Sequence, residues 1–110
     1  MENLKGKIAL ITAVSRKKGI GFAIAQALAQ NGVSVYLAYF RPYDVQVHEE
    51  ENPQEIEEII KEIERTGSEV ETLEIDLSLP ESPKFLLAEV IKRFGKVDIL
   101  INNACYSGND

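Results

Sequence analysis

Leu10 to Ala25 reads LITAVSRKKGIGFAIA. An apolar run stops at Thr12, a basic segment follows, then Gly19-Ile20-Gly21, then an apolar pattern of helical period. Upstream, Lys7 to Ala13 (KIALITA) is a near-continuous apolar run of strand length, as expected for a strand buried on both faces of a parallel sheet. From Gly19 to Asn31 the spacing predicts a helix, with Ile20, Ala23, Ile24, Ala27 and Leu28 on its apolar face. Asn31-Gly32 ends it, because glycine supplies the left-handed backbone after a helix. The connection is a loop suited to phosphate: Gly19 and Gly21 let the backbone come close to a pyrophosphate, and the helix start offers unpaired N–H groups. The competing reading is that the two glycines only permit tight strand–helix packing. The position after a buried first strand and before an Ala-rich helix favours the ligand.

Working outward, Val33 to Phe40 (VSVYLAYF) is a second strand, rich in β-branched and aromatic residues. A long polar connection, RPYDVQVHEEENPQ, leads to a helix with Asn52 as N-cap and Pro53 at its first position. Ile56, Ile59, Ile60 and Ile63 form its stripe, and Gly67 closes it. Glu69 to Asp76 is a third strand. SLPESPKFLLAEVIKRFG opens as a turn and continues as a third helix, with Phe85, Leu86, Ala88, Val90, Ile91 and Phe94 as its apolar surface and Gly95 at its end. Val97 to Ile101 is a fourth strand, followed by the polar tail NNACYSGND. The order βαβαβαβ implies parallel strands with right-handed helical crossovers. The first two helices then share one face of the sheet, and the third takes the other if strand four returns beside strand one. The expected fold is α/β, the N-terminal half of a Rossmann-type doubly wound parallel sheet with strand order 3-2-1-4. Residues 1–110 are expected to form one partial dinucleotide-binding domain.

Composition narrows the function classes. The net charge is −6, but residues 1–43 carry six Lys/Arg against one Glu, and residues 44–76 carry thirteen acids against two bases. Overall acidity argues against a nucleic-acid partner, which needs a basic face. The basic excess around the glycine loop suits one small anionic ligand instead. No apolar run is long enough to span a membrane, and no secretory h-region opens the chain. The single cysteine, Cys105, fits a reducing cytoplasm, and His48 has no partner at metal-ligand spacing.

Ligands of open α/β sheets bind beyond the carboxyl ends of the strands, where strand order reverses. Here that point lies between strands one and four. At the end of strand two, where an acid would take the ribose hydroxyls of NAD, the chain has Arg41 first and Asp44 only three residues later. Arg16, Lys17 and Lys18 add positive charge in the glycine loop, so NADP(H) is favoured over NAD(H). The alternative is that these are solvated loop cations. Asp76, directly after strand three, reads either as a turn aspartate or as the acceptor for the adenine amino group. Asn102-Asn103-Ala104 follows strand four at the switch point, where its backbone would run along the cofactor.

Together these features resemble the short-chain dehydrogenase/reductase family, over the whole chain but only the cofactor-binding half of that fold. The family's Thr-Gly-x-x-x-Gly-Ile-Gly is matched by Thr12 to Gly21, with Ala13 for the first glycine and two residues added. Asp76 matches the adenine-site aspartate, and Asn102 to Cys105 matches Asn-Asn-Ala-Gly with cysteine for the glycine. The resemblance implies cofactor contacts at Thr12, Ser15, Arg16, Lys18, Gly19, Ile20 and Gly21 in the first loop. It implies others at Arg41, at Asp76 and Leu77, and at Asn103, Ala104 and Cys105. Cys105 is not read as a nucleophile, because no histidine is placed to activate it. LAYFRPYD is similar to a 3-oxoacyl-[acyl-carrier-protein] reductase-like subgroup. The longer glycine loop is similar to the enoyl-reductase branch, but that branch has Ser-Ile-Ala in place of Gly19-Ile20-Gly21 and lacks Asn-Asn-Ala.

The resemblance implies hydride transfer between nicotinamide and a small carbonyl or alcohol substrate, with a Tyr-x-x-x-Lys pair and a serine as catalytic group. None of Tyr36, Tyr39, Tyr43 and Tyr106 has lysine four residues later. The chain is therefore expected to be an N-terminal fragment with no catalytic residues, inactive alone, or else a non-catalytic module that binds a nucleotide or a partner. Strand four would then be an unpaired apolar edge, and self-association is expected.

Overall fold

A computed structural model describes residues 4–12, 19–40 and 55–103 of the chain. Ala13, Ser15, Arg16, Lys17, Lys18, Arg41, Asp44, His48, Asn52, Pro53, Ala104 and Cys105 lie outside the described residues. The elements are β1 (Ile8–Thr12), α1 (Ile20–Gln30), β2 (Ser34–Tyr39), α2 (Glu55–Glu64), β3 (Val70–Glu74), α3 (Ser82–Phe94) and β4 (Ile99–Ile101). All three strand pairings are parallel and the sheet order is β3-β2-β1-β4, as the alternating pattern predicts.

β1 is buried at every position, because it lies inside the sheet and is covered on both faces. Alternation then divides its residues. Ala9 and Ile11 join Val35 and Leu37 of β2 in a core with Phe22, Ala25 and Ala29 of α1 and Ile56, Ile59 and Ile63 of α2. Ile8 and Leu10 join Tyr36 and Ala38 under Leu86 and Val90 of α3. Two helices therefore cover one face and one helix covers the other.

The buried stripe of α1 is rotated from the expected face, of which Ile24 and Leu28 still pack against the core half-buried. Gly21, Phe22, Ala25 and Ala29 are buried, Ala23 and Ala27 are exposed, and Ile20 is 71% exposed. The helix is apolar nearly all round, so its period allows two faces. The small side chains of Ala25 and Ala29 let it sit closest to the sheet along the observed one. α3 is corrected in the same way. Leu86 and Val90 are buried, whereas Phe85 (53%) and Ile91 (46%) flank that seam and are exposed. Arg93 secures its C-terminal end, with Nε 2.9 Å from Glu71 and its guanidinium 4.5 Å from the centre of the Phe94 ring. That ring meets Tyr36 edge-on, with centroids 6.3 Å apart.

β4 begins two residues later than expected. The Asp98 carboxylate accepts the Ile8 N–H at 2.8 Å and the Asp98 N–H donates to the Ile8 carbonyl at 2.9 Å. A side chain thus replaces the backbone acceptor, and the ladder starts at Ala9–Ile99. The Ile8 amide, followed by Lys96 at 3.2 Å, holds the Asp98 carboxyl below the usual carboxylate range. At the opposite turn Gly32 has φ +88, and a Cβ there would lie 3.0 Å from the Lys5 Cα, so the helix-ending glycine also admits the incoming N-terminal segment.

Candidate functional site

Because all four strands are parallel, the ends of β1, β3 and β4 open at one edge of the sheet. Thr12, the last residue of β1, is 5% exposed and sits at the switch point between β1 and β4. Its hydroxyl donates to Asn102 Oδ1 at 3.3 Å and accepts the Asn103 N–H at 3.0 Å. One hydroxyl therefore pins the loop after β4 to the strand that leads into the glycine loop.

Gly19 caps α1 in extended conformation (φ −82, ψ 160), and its carbonyl accepts the Ala23 N–H at 3.3 Å. Among the described residues no side chain caps this end, and its first turn contains no acid. The first-turn N–H groups have no acceptor within a helix and meet no competing carboxylate from the first turn of α1, a setting that suits an anion. Ile20, exposed, and Gly21, buried, are the first two residues of the helix.

Asp76 follows β3, two strand spacings from β1, or about 10 Å along the sheet edge. Its Oδ1 accepts both the Ser78 N–H at 3.0 Å and the Ser78 hydroxyl at 2.7 Å, and its carbonyl accepts the Leu79 N–H at 3.3 Å. Leu77 is half-buried and packs against the α3-side core. The described members of the expected site, Thr12, Gly19 to Gly21, Asp76, Leu77 and Asn103, thus line one edge of the sheet, with Thr12 and Asn103 in direct contact.

Two side-chain contacts escaped the sequence reading, although Asn102 itself belongs to the expected motif. Asn102 contributes its side chain to the Thr12 link, and Ser78 binds Asp76. Asp-x-Ser directly after a strand is the pattern of an aspartate turn, so Ser78 was detectable. The Asn102–Thr12 contact joins residues 90 apart and had no local signal.

The described residues at this edge are backbone N–H groups, one hydroxyl and one carboxylate, groups suited to hydrogen-bonding a polar ligand. Burial, and then Glu89 and Glu71, push the Tyr36 phenol above its ordinary range, the opposite of what a proton-abstracting tyrosine requires. Among the described residues no group of three or more His, Cys, Asp or Glu could hold a metal ion, and no helix is long and apolar enough to cross a membrane.

A family model described as short chain dehydrogenase matches residues 7–110. The chain belongs to the short chain dehydrogenase family. It is 37% identical over 102 residues to the chloroplastic NADPH-dependent aldehyde reductase 1 of Arabidopsis thaliana, which covers 92% of this chain and 33% of that protein. It is 35% identical over 101 residues to versicolorin reductase 1 of Aspergillus parasiticus, covering 92% and 34%. Among solved structures, a short-chain dehydrogenase/reductase of Serratia marcescens superposes with a TM-score of 0.75 at 28% identity, covering 92% of this chain and 36% of that one. A short-chain dehydrogenase of Oenococcus oeni gives 0.74 at 29%, covering 93% and 39%. This short chain dehydrogenase sequence therefore spans about a third of the length of the curated relatives it matches. Its family is one of oxidoreductases, which bind a nicotinamide dinucleotide.

Proposed function

We propose that the chain is the NADP(H)-binding part of a carbonyl reductase of this family. The carrying observation is the Thr12 clamp, which holds the loop after β4 against β1 beside the uncapped start of α1. Gly19 to Gly21 would take the pyrophosphate, and Ser15, Arg16, Lys18 and Arg41 the phosphates, including the one on the ribose. Asp76 and Leu77 would hold the adenine, while Asn103, Ala104 and Cys105 would lie along the nicotinamide half. The preference for a phosphorylated cofactor rests on the basic excess of residues 1–43 and is supported by the NADPH-dependent Arabidopsis relative. When bound, the cofactor supplies hydride to a carbonyl carbon. The residues of this chain would bind and orient it; none of its four tyrosines has lysine four residues later.

LAYFRPYD supports a place near the 3-oxoacyl-[acyl-carrier-protein] reductase-like subgroup. Retention of Gly19, Gly21 and Asn102-Asn103-Ala104 favours that branch over enoyl reductases. The single cysteine favours the cytoplasm as its compartment. Titrating the chain with NADPH and with NADH by fluorescence tests the cofactor reading. Tighter binding of NADPH is expected, and no binding at millimolar NADPH would refute it.

We also propose that the chain self-associates. Nothing among the described residues pairs with the outer side of β4, and Leu100, at its centre, is 63% exposed. Light scattering is expected to show dimers or larger species at high concentration, reduced by Leu100→Lys. A monomer at every concentration counts against it.

A further inference from the structure

We propose that Ser78 is a positioning residue for adenine recognition. It locks the Asp76 carboxylate so that the second oxygen faces the exocyclic amino group of the base. The inference rests on the reading of Asp76 as the adenine acceptor and goes beyond it.

The loop after β3 is closed by backbone bonds as well as by Ser78. Its backbone is closed by Leu79 N–H to the Asp76 carbonyl and by Ser82 N–H to the Leu79 carbonyl. Leu77 is packed against the α3-side core from within the same turn. The hydroxyl does not serve α3, whose N-cap is Glu81 with no side-chain capping bond. Its 2.7 Å bond goes instead to Asp76 Oδ1, the oxygen that the Ser78 N–H already reaches at 3.0 Å.

Two donors from one residue on one oxygen fix both the rotamer and the plane of the carboxylate. A lone bond would leave the plane free to turn. Among the described residues no hydrogen bond engages Oδ2, which is left as the acceptor for a ligand at the open edge of the sheet. A carboxylate oxygen accepts from an amino group and repels a carbonyl, so a fixed Oδ2 distinguishes a 6-amino purine from a 6-oxo purine. Ordering the acceptor before binding also removes an entropic cost at the moment of binding.

The test compares NADPH with its hypoxanthine analogue, which carries oxygen in place of the adenine amino group, by fluorescence titration of the chain. The unsubstituted chain is expected to prefer NADPH. Ser78→Ala is expected to weaken NADPH binding about 3- to 10-fold and to shrink the preference, whereas Ser78→Thr, which keeps the hydroxyl, retains both. Because Ser78 is exposed, the melting temperature should be unchanged, which separates positioning from a structural role. Ser78→Ala with an undiminished preference overturns the positioning role and leaves the cofactor reading intact. Equal binding of both dinucleotides by the unsubstituted chain, or binding of neither, overturns the Asp76 reading itself and the Ser78 role with it.

Discussion

Leu37→Ala is expected to lower the unfolding free energy by about 2–5 kcal/mol, a large share of the ~5–15 kcal/mol typical of a domain. Leu37 is fully buried in β2, between Ile11 of β1 and Thr72 of β3 in register, and it belongs to the core shared with Phe22 and Ile59. β2 is hydrogen-bonded on both sides and covered by helices on both faces, so the neighbours cannot collapse into the space left by the lost atoms. Urea denaturation should show the midpoint falling with little change in slope. Leu87→Ala is the matched control, since Leu87 is 45% exposed and its loss should change stability by no more than about 0.5 kcal/mol. Equal effects at the two positions would show that this core is not what holds the chain folded.

Thr12→Val tests the site. The substitution keeps the shape and removes the hydroxyl, and with it the Thr12 bonds to the Asn103 N–H and to Asn102 Oδ1. Losing these hydrogen bonds at a part-buried position is expected to cost about 0.5–1.5 kcal/mol, which denaturation would read directly. The loop after β4 is also released from β1, and NADPH affinity is expected to fall about tenfold or more. Thr12→Ser retains the hydroxyl and should stay close to the unsubstituted chain in both measurements. A valine variant that binds NADPH normally would remove Thr12 from the site.

Much of this architecture was legible in the order of short patterns. β1, β2 and the Ile56–Ile59–Ile63 stripe of α2 stand out because strand and helix periods differ and those segments follow one period cleanly. Gly32, Gly67 and Gly95, all with positive φ, close the helices or the turns after them, as their positions indicate. The places where the reading slipped have a common cause. α1 and the exposed flanks of α3 carry more apolar residues than one face can use, so periodicity could not select the buried seam. The late start of β4 depends on Asp98 reaching Ile8 across 90 residues, and no local pattern encodes that.

The candidate site divides along the same line. Gly19, Gly21, Asp76 and Asn102-Asn103 are recognisable because their spacing follows strand ends, and strand ends are local features. The sequence by itself determined the alternation of elements, the parallel sheet in the order 3-2-1-4 and the family, because chain direction and right-handed crossovers leave few other topologies. Only the tertiary structure decided which side chains meet. Thr12 comes to hold both asparagines, Asp98 takes over a ladder bond, and among the described residues Asp76 has hydrogen bonds to one carboxylate oxygen only. Each of these is a directional hydrogen bond of about 3 Å, and its existence depends on how strands and turns come together in space rather than on the residues beside it in the chain.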